Sequence, residues 1–562
     1  MKSKELAEIL FKDIYKTVEF YEKKYPDRNL PEGACVTRLG PSPTGFIHLG
    51  NLYGAFVDER VAHLSEGVFY LRIEDTDDKR YVEGATKKLI EMLDFFGVRF
   101  DEGKLASSEK GEYSPYVQSE RGEIYKCIVK EMVEKGFAYP CFITEEESQK
   151  IREEQEKNKV TPGIYGEYAL DRDLDIDEVS KRIDEGRPYV IRLKSDGKAP
   201  DMSNHESQSS GVDRIHVQDA IRGNISMPKN FQDIVLLKQN GMPTYHLAHV
   251  CDDHFMRTTH VIRGEEWLST LPIHIELFEK LGWKPPVYCH TAQLMKIDES
   301  GSKRKLSKRK DPELSLDYYN EQGYHPDAVR EYLMTILNSD FEEWRKENPD
   351  ESIETFDFKL SKMSKSGALF DIMKLRDISK DVMFRKSPDE IYSFLKKWAE
   401  TSEESYEYMF NDAEYLKKII DIGRVDKKPR KDLVYAKQIV EQISYFFDEL
   451  FEIRDKIPSE VSIEDEREII KRYLASYNHD DDKSEWFSKI RDIAEELGYA
   501  KKPKDYKKNP EEFKGHVGHV SSVIRIALTG KAISPDIWEI QQIMGKEKTE
   551  KRLRAFLEEC GN

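Results

Sequence analysis

At 562 residues the chain exceeds what one compact core accommodates, and two to four domains are expected. Hydrophobic residues make up 38% and aromatics 11%, an ordinary composition for a soluble protein, and no apolar run reaches the length of a membrane span. The formal net charge of −18 argues, as an average, against a nucleic-acid binder; charge acts locally, however, and basic residues cluster at Lys303, Arg304, Lys305, Lys308, Arg309 and Lys310 and again at Lys427, Lys428, Arg430 and Lys431.

Residues 1–30 are charged throughout, read as an amphipathic helical extension, and lack the features of a signal peptide, so a cytoplasmic location is expected. ACVTRL (34–39) suits a buried strand, GPSPTG (40–45) a turn, and a helix is predicted from about Asn51. VFYLRI (68–73) reads as a second strand, and KRYVEGATKKLIEMLDFFG (79–97) as a helix that Gly97 ends. Strand, turn, helix, strand, helix opens a parallel α/β sheet. Residues 113–212, with the helical EIYKCIVKEMVEKGF and a polar, Ser-rich stretch from Ser195 to Gly211, look like an insertion. Sheet-like segments resume at DIVLLK (233–238) and THVIRG (259–264). From about 330 the pattern is helical, with linker-like stretches near 340–352 and 500–509. In one late helix Ser534 suits the cap, Pro535 the first turn, Ile537, Ile540 and Met544 one face, and Gly545 the end. There is no internal repeat and no GxxxxGK[ST] phosphate loop.

Four segments could carry chemistry. In TRLGPSPTGFIHLGN (37–51) a strand, a tight turn and a helix start follow one another; helix N-termini collect anions, Gly45 and Gly50 allow close approach, and His48 adds a donor, so an adenine ring or phosphate chain could be held. The plain alternative is a structural corner with a surface histidine. IEDTD (73–77) lies at a strand's carboxyl end, where open α/β sheets bind ligands, although the residues alone favour a solvated acidic turn. In 241–267, His246, His249, His254 and His260 with Asp252 and Asp253 suggest a metal, but their spacing matches no common zinc pattern. KRKLSKRKD (303–311) sits in a Gly/Ser-flanked loop predicted to be flexible, whose ammonium groups could close over a triphosphate; the alternative is a solvated basic loop. Cys35, Cys127, Cys141, Cys251, Cys289 and Cys560 are scattered, as reduced thiols are, with no disulfide framework.

Taken together, these strings resemble the class I aminoacyl-tRNA synthetases. HLGN is similar to their HIGH signature, and RLGPSPTGFIHLG, LRIEDTD (71–77), THVIRGEEWL (259–268), KLSKR (305–309) and SSVIRIALTG…SP (521–535) occur in the order of the bacterial-type glutamyl branch, covering the chain from about residue 35 to the last helix. The resemblance implies a doubly wound parallel-sheet, Rossmann-like α/β catalytic domain (31–112 and 213–335). It further implies an inserted α+β domain for the tRNA acceptor end (113–212), a linking domain (336–395) and an all-α anticodon-binding region (396–562). It implies His48, Lys305 and Lys308 as catalytic residues, ATP contacts at Thr44, Gly45, His48, Gly50, Asn51, Lys305, Leu306, Ser307 and Lys308, and glutamate contacts at Arg38, Gly40, Ser42, Glu74, Tyr245, His249 and Arg263.

The implied reaction joins L-glutamate to tRNA(Glu) through a glutamyl-adenylate, with ATP and the Mg²⁺ it carries, in a monomer; charging of tRNA(Gln) is left open. A glutaminyl enzyme and a non-catalytic RNA-binding paralogue are the alternatives. Arg263 speaks against the first, since the glutaminyl branch lacks arginine there, and the presence of His48 and Lys308 speaks against the second. Two departures stand out: His249 where asparagine is usual, and Gly40 where alanine is usual. The family's Cys-x-Cys zinc pair is missing at Cys141, and YGEYA (165–169) offers no partner, so no metal site and no zinc are expected. A literal KMSKS occurs at Lys362–Ser366; KLSKR, which follows closely on the last sheet segment, is nevertheless the expected catalytic loop, while Leu369, Phe370, Ile372, Met373 and Leu375 read as a packed helical element.

Overall fold

A computed structural model describes residues 2–77, 82–199 and 213–559. The first residues of the predicted 79–97 segment and most of the Ser-rich stretch, from residue 200, lie outside these, as does Cys560. The chain divides into two compact units: Met1–Tyr318 with Arg330–Asp371, and Tyr319–Val329 with Ile372–Asn562.

In the first unit the predicted strands form a parallel sheet. β1 (Val36–Leu39) pairs with β2 (Val68–Leu71) from Val36↔Val68 to Leu39↔Leu71, and β2 pairs with β3 (Glu102–Lys104). β4 (His260–Gly264) and β5 (Val287–Thr291) pair in parallel from His260↔Val287 to Gly264↔Thr291. The Thr259 N–H donates to Val36 O at 3.0 Å, which brings β4 beside β1 and gives the order β3-β2-β1-β4-β5. All four residues of β1 are buried, as helices on both faces of such a sheet require. Helix α1 (Leu49–Leu64) connects β1 to β2, and the helix Ala85–Phe95 connects β2 to β3. Gly97 follows it at φ 76°, a left-handed position that terminates the helix. Helix α2 (Tyr245–Phe255) precedes β4, and α3 (Leu271–Leu281) joins β4 to β5.

The inserted segment contributes the helix Gly122–Glu134 and an antiparallel sheet. There Val190–Leu193 lies between Ala138–Cys141 and Val235–Leu237. Val235–Leu237 therefore belongs to this antiparallel sheet and not to the parallel one that its sequence position suggested. The N-terminal extension is two helices, Lys2–Leu10 and Val18–Lys24, sharing an apolar cluster with Gly122–Glu134. Arg28 behind them donates to both Glu102 oxygens at 2.9 and 3.0 Å.

The basic segment is more ordered than a flexible loop. β6 (Leu294–Ile297) and β7 (Lys303–Lys305) form an antiparallel hairpin, because Asp298 Oδ1 accepts from the N–H of both Ser300 and Ser302 and closes the turn. Ala368–Leu369 adds to β6 in parallel, so the KMSKS segment leads into a strand rather than a helix. Helix begins only at Ile372; Phe370 and Leu375 are buried as predicted, whereas Leu369 and Met373 are exposed. The stretch near 340–352 contains the helix Phe341–Glu347.

The regular structure described for the second unit is helical, around a core that includes Leu416, Ile439, Ile469, Ile490, Ile524 and Leu553. The stretch near 500–509 holds the helix Pro503–Lys508. Ile537, Ile540 and Met544 are buried on Ile537–Met544 as predicted, but Asp536 caps that helix, accepting from Trp538 N and Glu539 N, while Ser534 Oγ turns to Pro535 O. Asp536 wins because its carboxylate reaches both open N–H groups. The boundary drawn at 395/396 falls inside the helix Pro388–Ala399.

Candidate active site

The carboxyl ends of β1, β2 and β4, with the start of α2, bring the predicted amino-acid contacts together. Arg38, at 5% exposure, reaches Asp253 Oδ1 at 3.3 Å and Ile262 O at 3.3 Å. Arg72, fully buried, bridges Asp253 Oδ1 at 2.8 Å and Glu74 Oε1 at 2.9 Å. Buried guanidinium groups at this density persist because carboxylates face them. Burial pushes the Glu74 carboxyl up, and Arg72 and Arg38 oppose that shift. The Glu74 carboxylate lies over Gly40, where any Cβ would overlap it. Ser42 is exposed on the turn.

Tyr245 and Arg263 meet on the opposite wall, where Tyr245 OH lies 3.5 Å from Arg263 Nη1. Trp267, 39% exposed, packs against the Tyr245 ring with centroids 4.6 Å apart. Arg263 Nη2 is buried and finds no hydrogen-bond partner. Two histidines hold the rest of this guanidinium: Nε donates to His290 Nε2 at 3.0 Å and Nη1 to His274 Nδ1 at 3.1 Å. His249 is completely buried, stacks on His274 with centroids 4.3 Å apart, and presents Nδ1 to Arg38 Nη2 at 3.5 Å and to Asp253 Oδ2 at 3.3 Å. Its Nε2 has no partner. Burial holds His249 well below the usual histidine range, and the Arg263 and Arg38 charges add to this.

The histidines and aspartates of 241–267 part company. His246 and His249 face the Arg263 wall, His254 bonds Glu22 at 2.7 Å and stacks on Trp283, and His260 bonds Thr259. Asp252 accepts from Gln118, Arg121 and Tyr125, and Asp253 from Arg72 and Arg38. These carboxylates are committed to protein donors.

A second group surrounds the turn after β1. A cleft of about 200 Å³ is lined by Pro41–Ile47, His48, Asn51, Ala85 and Leu89. His48 is the N-cap of α1, and its N–H donates to Asn51 Oδ1 at 3.0 Å. Gly50 leaves room for the imidazole; a Cβ there would lie 2.9 Å from His48 Nδ1. Burial lowers the His48 pKa, Glu266 opposes this, and Lys305 adds to it. Thr44 and Gly45 are exposed beside the cleft, and Leu306 is buried beneath the basic segment. Lys305 and Lys308 are exposed, and Lys308 Nζ sits 4.1 Å from the centroid of the Phe46 ring. Asp311, 1% exposed, anchors the segment by accepting two bonds from Arg304 at 2.6 and 2.7 Å and one from Ser307 N at 2.8 Å. This holds its carboxyl well below the usual range. Lys362 of the literal KMSKS pairs with Asp340 at 3.1 Å.

Sequence reasoning singled out neither Arg72, which stands inside the quoted LRIEDTD string, nor Asp219, His274, His290 and Asp311. The only sequence signal for the first is an arginine within an otherwise apolar strand; His274 and His290 become legible only as partners of Arg263, Asp219 as the partner of His290, and Asp311 as the partner of Arg304.

Residues 34–377 match the family model for the catalytic domain of class I tRNA synthetases (E and Q), and residues 390–557 match an anticodon binding domain. A glutamate–tRNA ligase of Acetivibrio thermocellus is 58% identical over 99% of this chain and 100% of its own length. One from Clostridium perfringens is 49% identical, again over 99% of this chain and 100% of its own. The crystal structure of a glutamate tRNA ligase from Elizabethkingia meningosepticum, in complex with its amino acid, superposes with a TM-score of 0.69 at 28% identity, covering 93% of this chain and 99% of that one. With a parallel sheet, a helical second unit and relatives matched end to end, the chain belongs to the glutamate–tRNA ligase family of class I aminoacyl-tRNA synthetases.

Proposed function

We propose that the chain ligates L-glutamate to tRNA(Glu) in two steps. The α-carboxylate of glutamate attacks the α-phosphorus of ATP and pyrophosphate leaves; a hydroxyl of the terminal adenosine then attacks the acyl carbon and AMP leaves. Neither step needs a covalent enzyme intermediate, so the work is positioning and charge stabilisation. The observation that carries the reading is the buried Arg263 with an unpartnered Nη2, beside a Tyr245 that also lies within reach of the Arg38 and Glu74 charges. An amino acid with two carboxylates and one ammonium group complements that set. Arg38, Gly40, Ser42, Glu74, Tyr245, His249 and Arg263 would hold glutamate, with Glu74 on the ammonium group.

Thr44, Gly45, His48, Gly50, Asn51 and the Lys305–Lys308 segment would hold ATP, with the amino-terminal end of α1 suited to phosphate. Lys305 and Lys308 would follow charge as it develops. Mg²⁺ would enter with the nucleotide. The inserted domain (113–212) would receive the acceptor end, 336–395 would link, and 396–562 would read the anticodon, as the match to an anticodon binding domain supports. Scattered free cysteines fit a reducing cytoplasm, and a monomer is the working state proposed.

A glutaminyl reading is disfavoured because a side-chain amide gives Arg263 no counter-charge. The test is charging of purified tRNA(Glu) and tRNA(Gln) with glutamate and with glutamine. Glutamate-dependent charging of tRNA(Glu) is expected, and glutamine-dependent charging in its place would refute the reading; the tRNA(Gln) arm measures how strict the anticodon reader is.

A further inference from the structure

Arg263 is held in an unusual way. A buried guanidinium is ordinarily neutralised by a carboxylate, because an isolated charge is costly to bury. At 8% exposure Arg263 forms no ion pair with any described carboxylate, although Asp219 and Glu74 both belong to this region. Its bonds go to neutral acceptors: His290, His274 and Tyr245. The Tyr288 ring adds a face 4.9 Å from the guanidinium carbon.

The protonation pattern of the two histidines follows from the donors. A guanidinium can only donate, so His290 Nε2 and His274 Nδ1 must be the unprotonated nitrogens. His290 Nδ1–H then donates to Asp219 Oδ2 at 2.7 Å, and His274 Nε2–H to His246 Nδ1 at 3.2 Å. Asp219 is itself fixed by the N–H groups of Ile221, Arg222 and His290 at 2.9, 2.8 and 3.1 Å. Asp219 thus sets the tautomer of His290 without touching Arg263, and its negative charge stays one ring away. His274 also carries the His249 stack, so one side chain orients two walls of the pocket.

We propose that His274 and His290 are positioning residues that clamp Arg263 between neutral acceptors, leaving its positive charge uncompensated and one nitrogen open, so that the pocket selects an anionic side chain over the corresponding amide. A carboxylate substrate supplies the missing counter-charge; an amide leaves a buried cation unpaired. Discrimination then arises from a cost placed on the wrong ligand as much as from a bond offered to the right one. Burial keeps both histidines below their usual range, in keeping with neutral rings beside a fixed cation.

The inference rests on the reading of the chain as a glutamate–tRNA ligase, and the test separates the two. Steady-state charging of tRNA(Glu) by the full chain is compared for wild type, His274→Asn, His274→Asp, His290→Gln and His290→Leu, with thermal midpoints for each. Asparagine keeps an acceptor near the Nδ1 position and glutamine one near the Nε2 position, so these variants should hold the KM for glutamate within about three-fold, as a retained neutral hydrogen bond allows. His274→Asp places a counter-charge on Arg263 and His290→Leu removes an acceptor; each should raise the KM for glutamate about ten- to a hundred-fold with the KM for ATP unchanged, and shrink the preference for glutamate over glutamine. Equal effects of asparagine and aspartate at position 274, or a loss confined to kcat and thermal midpoint, would overturn the clamp. The asparagine–aspartate pair is similar in size, so it remains decisive if the leucine variant does not fold. A wild type that charges no glutamate would instead sink the functional reading.

Discussion

The two ends of the candidate site are built on opposite plans. At the amino-acid end Arg72 is fully covered, Asp253 is 1% exposed and Arg38 5%, and each charge has partners on a different strand or helix. At the nucleotide end Lys305 and Lys308 are exposed, at the end of a hairpin and just beyond it, while the hairpin is anchored through Asp311 and by the pairing of Ala368–Leu369 with β6. A buried network cannot follow a substrate without breaking, but it discriminates well; an exposed lysine discriminates poorly, but it can move as charge develops. Selectivity and chemistry are thus assigned to different mechanical regimes on neighbouring sheets of one unit.

Substitutions should separate these regimes, and the largest effect belongs to the buried end. Arg263→Cys removes the open cation and should cost on the order of 2–5 kcal/mol in kcat/KM for glutamate, with the KM for ATP unchanged. A glutamate KM and kcat near wild type would remove Arg263 from the pocket. Next comes Lys308→Ala, which should lower adenylate formation by about a hundred-fold, the size of one lost preorganised donor, with glutamate binding intact. Lys365→Ala, in the literal KMSKS, should leave adenylate formation nearly unchanged. The hairpin that ends at Lys305, the first residue of KLSKR, and the Lys362–Asp340 ion pair support this order. The strand pairing of Ala368–Leu369 with β6 does bring KMSKS alongside, however, so the pair of variants, assayed by ATP–pyrophosphate exchange, is the deciding measurement.

A smaller effect should appear at the base of the hairpin. Asp311→Asn keeps the shape of the anchor but removes its charge, and should raise the KM for ATP several-fold while costing about 1–3 kcal/mol of local stability. The pH dependence has a fixed sign. The folded-state pKa of Asp311 is depressed, chiefly by the Arg304 bonds, so its contribution is present above the ordinary aspartate pKa and is lost as pH falls below it. Urea midpoints measured from pH 7 down to about pH 3 should draw closer for wild type and variant once the pH passes below the ordinary aspartate pKa, because protons then bind the unfolded chain first. A gap that stayed constant over that range would show that Asp311 contributes nothing electrostatic.

How much of this was legible in the sequence also follows the contrast. Strands β1, β2 and β4 were readable because buried parallel strands are short apolar runs, and α1 because a Pro/Gly turn precedes it. Helix Ile537–Met544 was placed correctly by its apolar face but capped by the wrong residue, since both Ser534 and Asp536 are good caps and only geometry separates them. The second arm of the hairpin, 303–305, read as part of a flexible loop because it is basic and the turn before it is Gly/Ser-rich; pairing with β6 does not show in composition. The resemblance named the residues expected to hold glutamate, and the structure brings Arg38, Glu74, Tyr245, His249 and Arg263 into one region. It was silent on Arg72, Asp219, His274, His290 and Asp311, whose work is to hold other side chains. Such residues carry no motif of their own, because what they need is a partner at one distance, and the partner comes from another strand.

The smallest expected effect tests how rigid the buried end is. Gly40 stands where alanine is usual in the family the chain resembles, and the Glu74 carboxylate occupies the space a Cβ would take. Glu74 is held there by Arg72 Nη2 at 2.9 Å, and Arg72 is itself pinned to Asp253. The φ of Gly40 is not among the positive values, so alanine meets no backbone strain, and the whole conflict is with the far end of one side chain. Two outcomes are separable by size. If the network is rigid, Gly40→Ala drives the carboxylate off Arg72 and exposes a buried charge imbalance, costing 3–5 kcal/mol on the scale of about one broken buried ion pair. If the carboxylate can pivot while keeping the Arg72 bond, the cost is about one off-rotamer side chain, roughly 0.5–1.5 kcal/mol. The second outcome is expected, because three torsions separate the Glu74 carboxylate from its backbone and only its terminal atoms collide. Gly40→Ala should therefore raise the KM for glutamate a few-fold, through a shifted contact to the ammonium group, and leave the KM for ATP and the thermal midpoint unchanged. A large fall in thermal midpoint would show instead that Glu74 is locked, and that this chain uses glycine at 40 because its buried network leaves the carboxylate nowhere else to go.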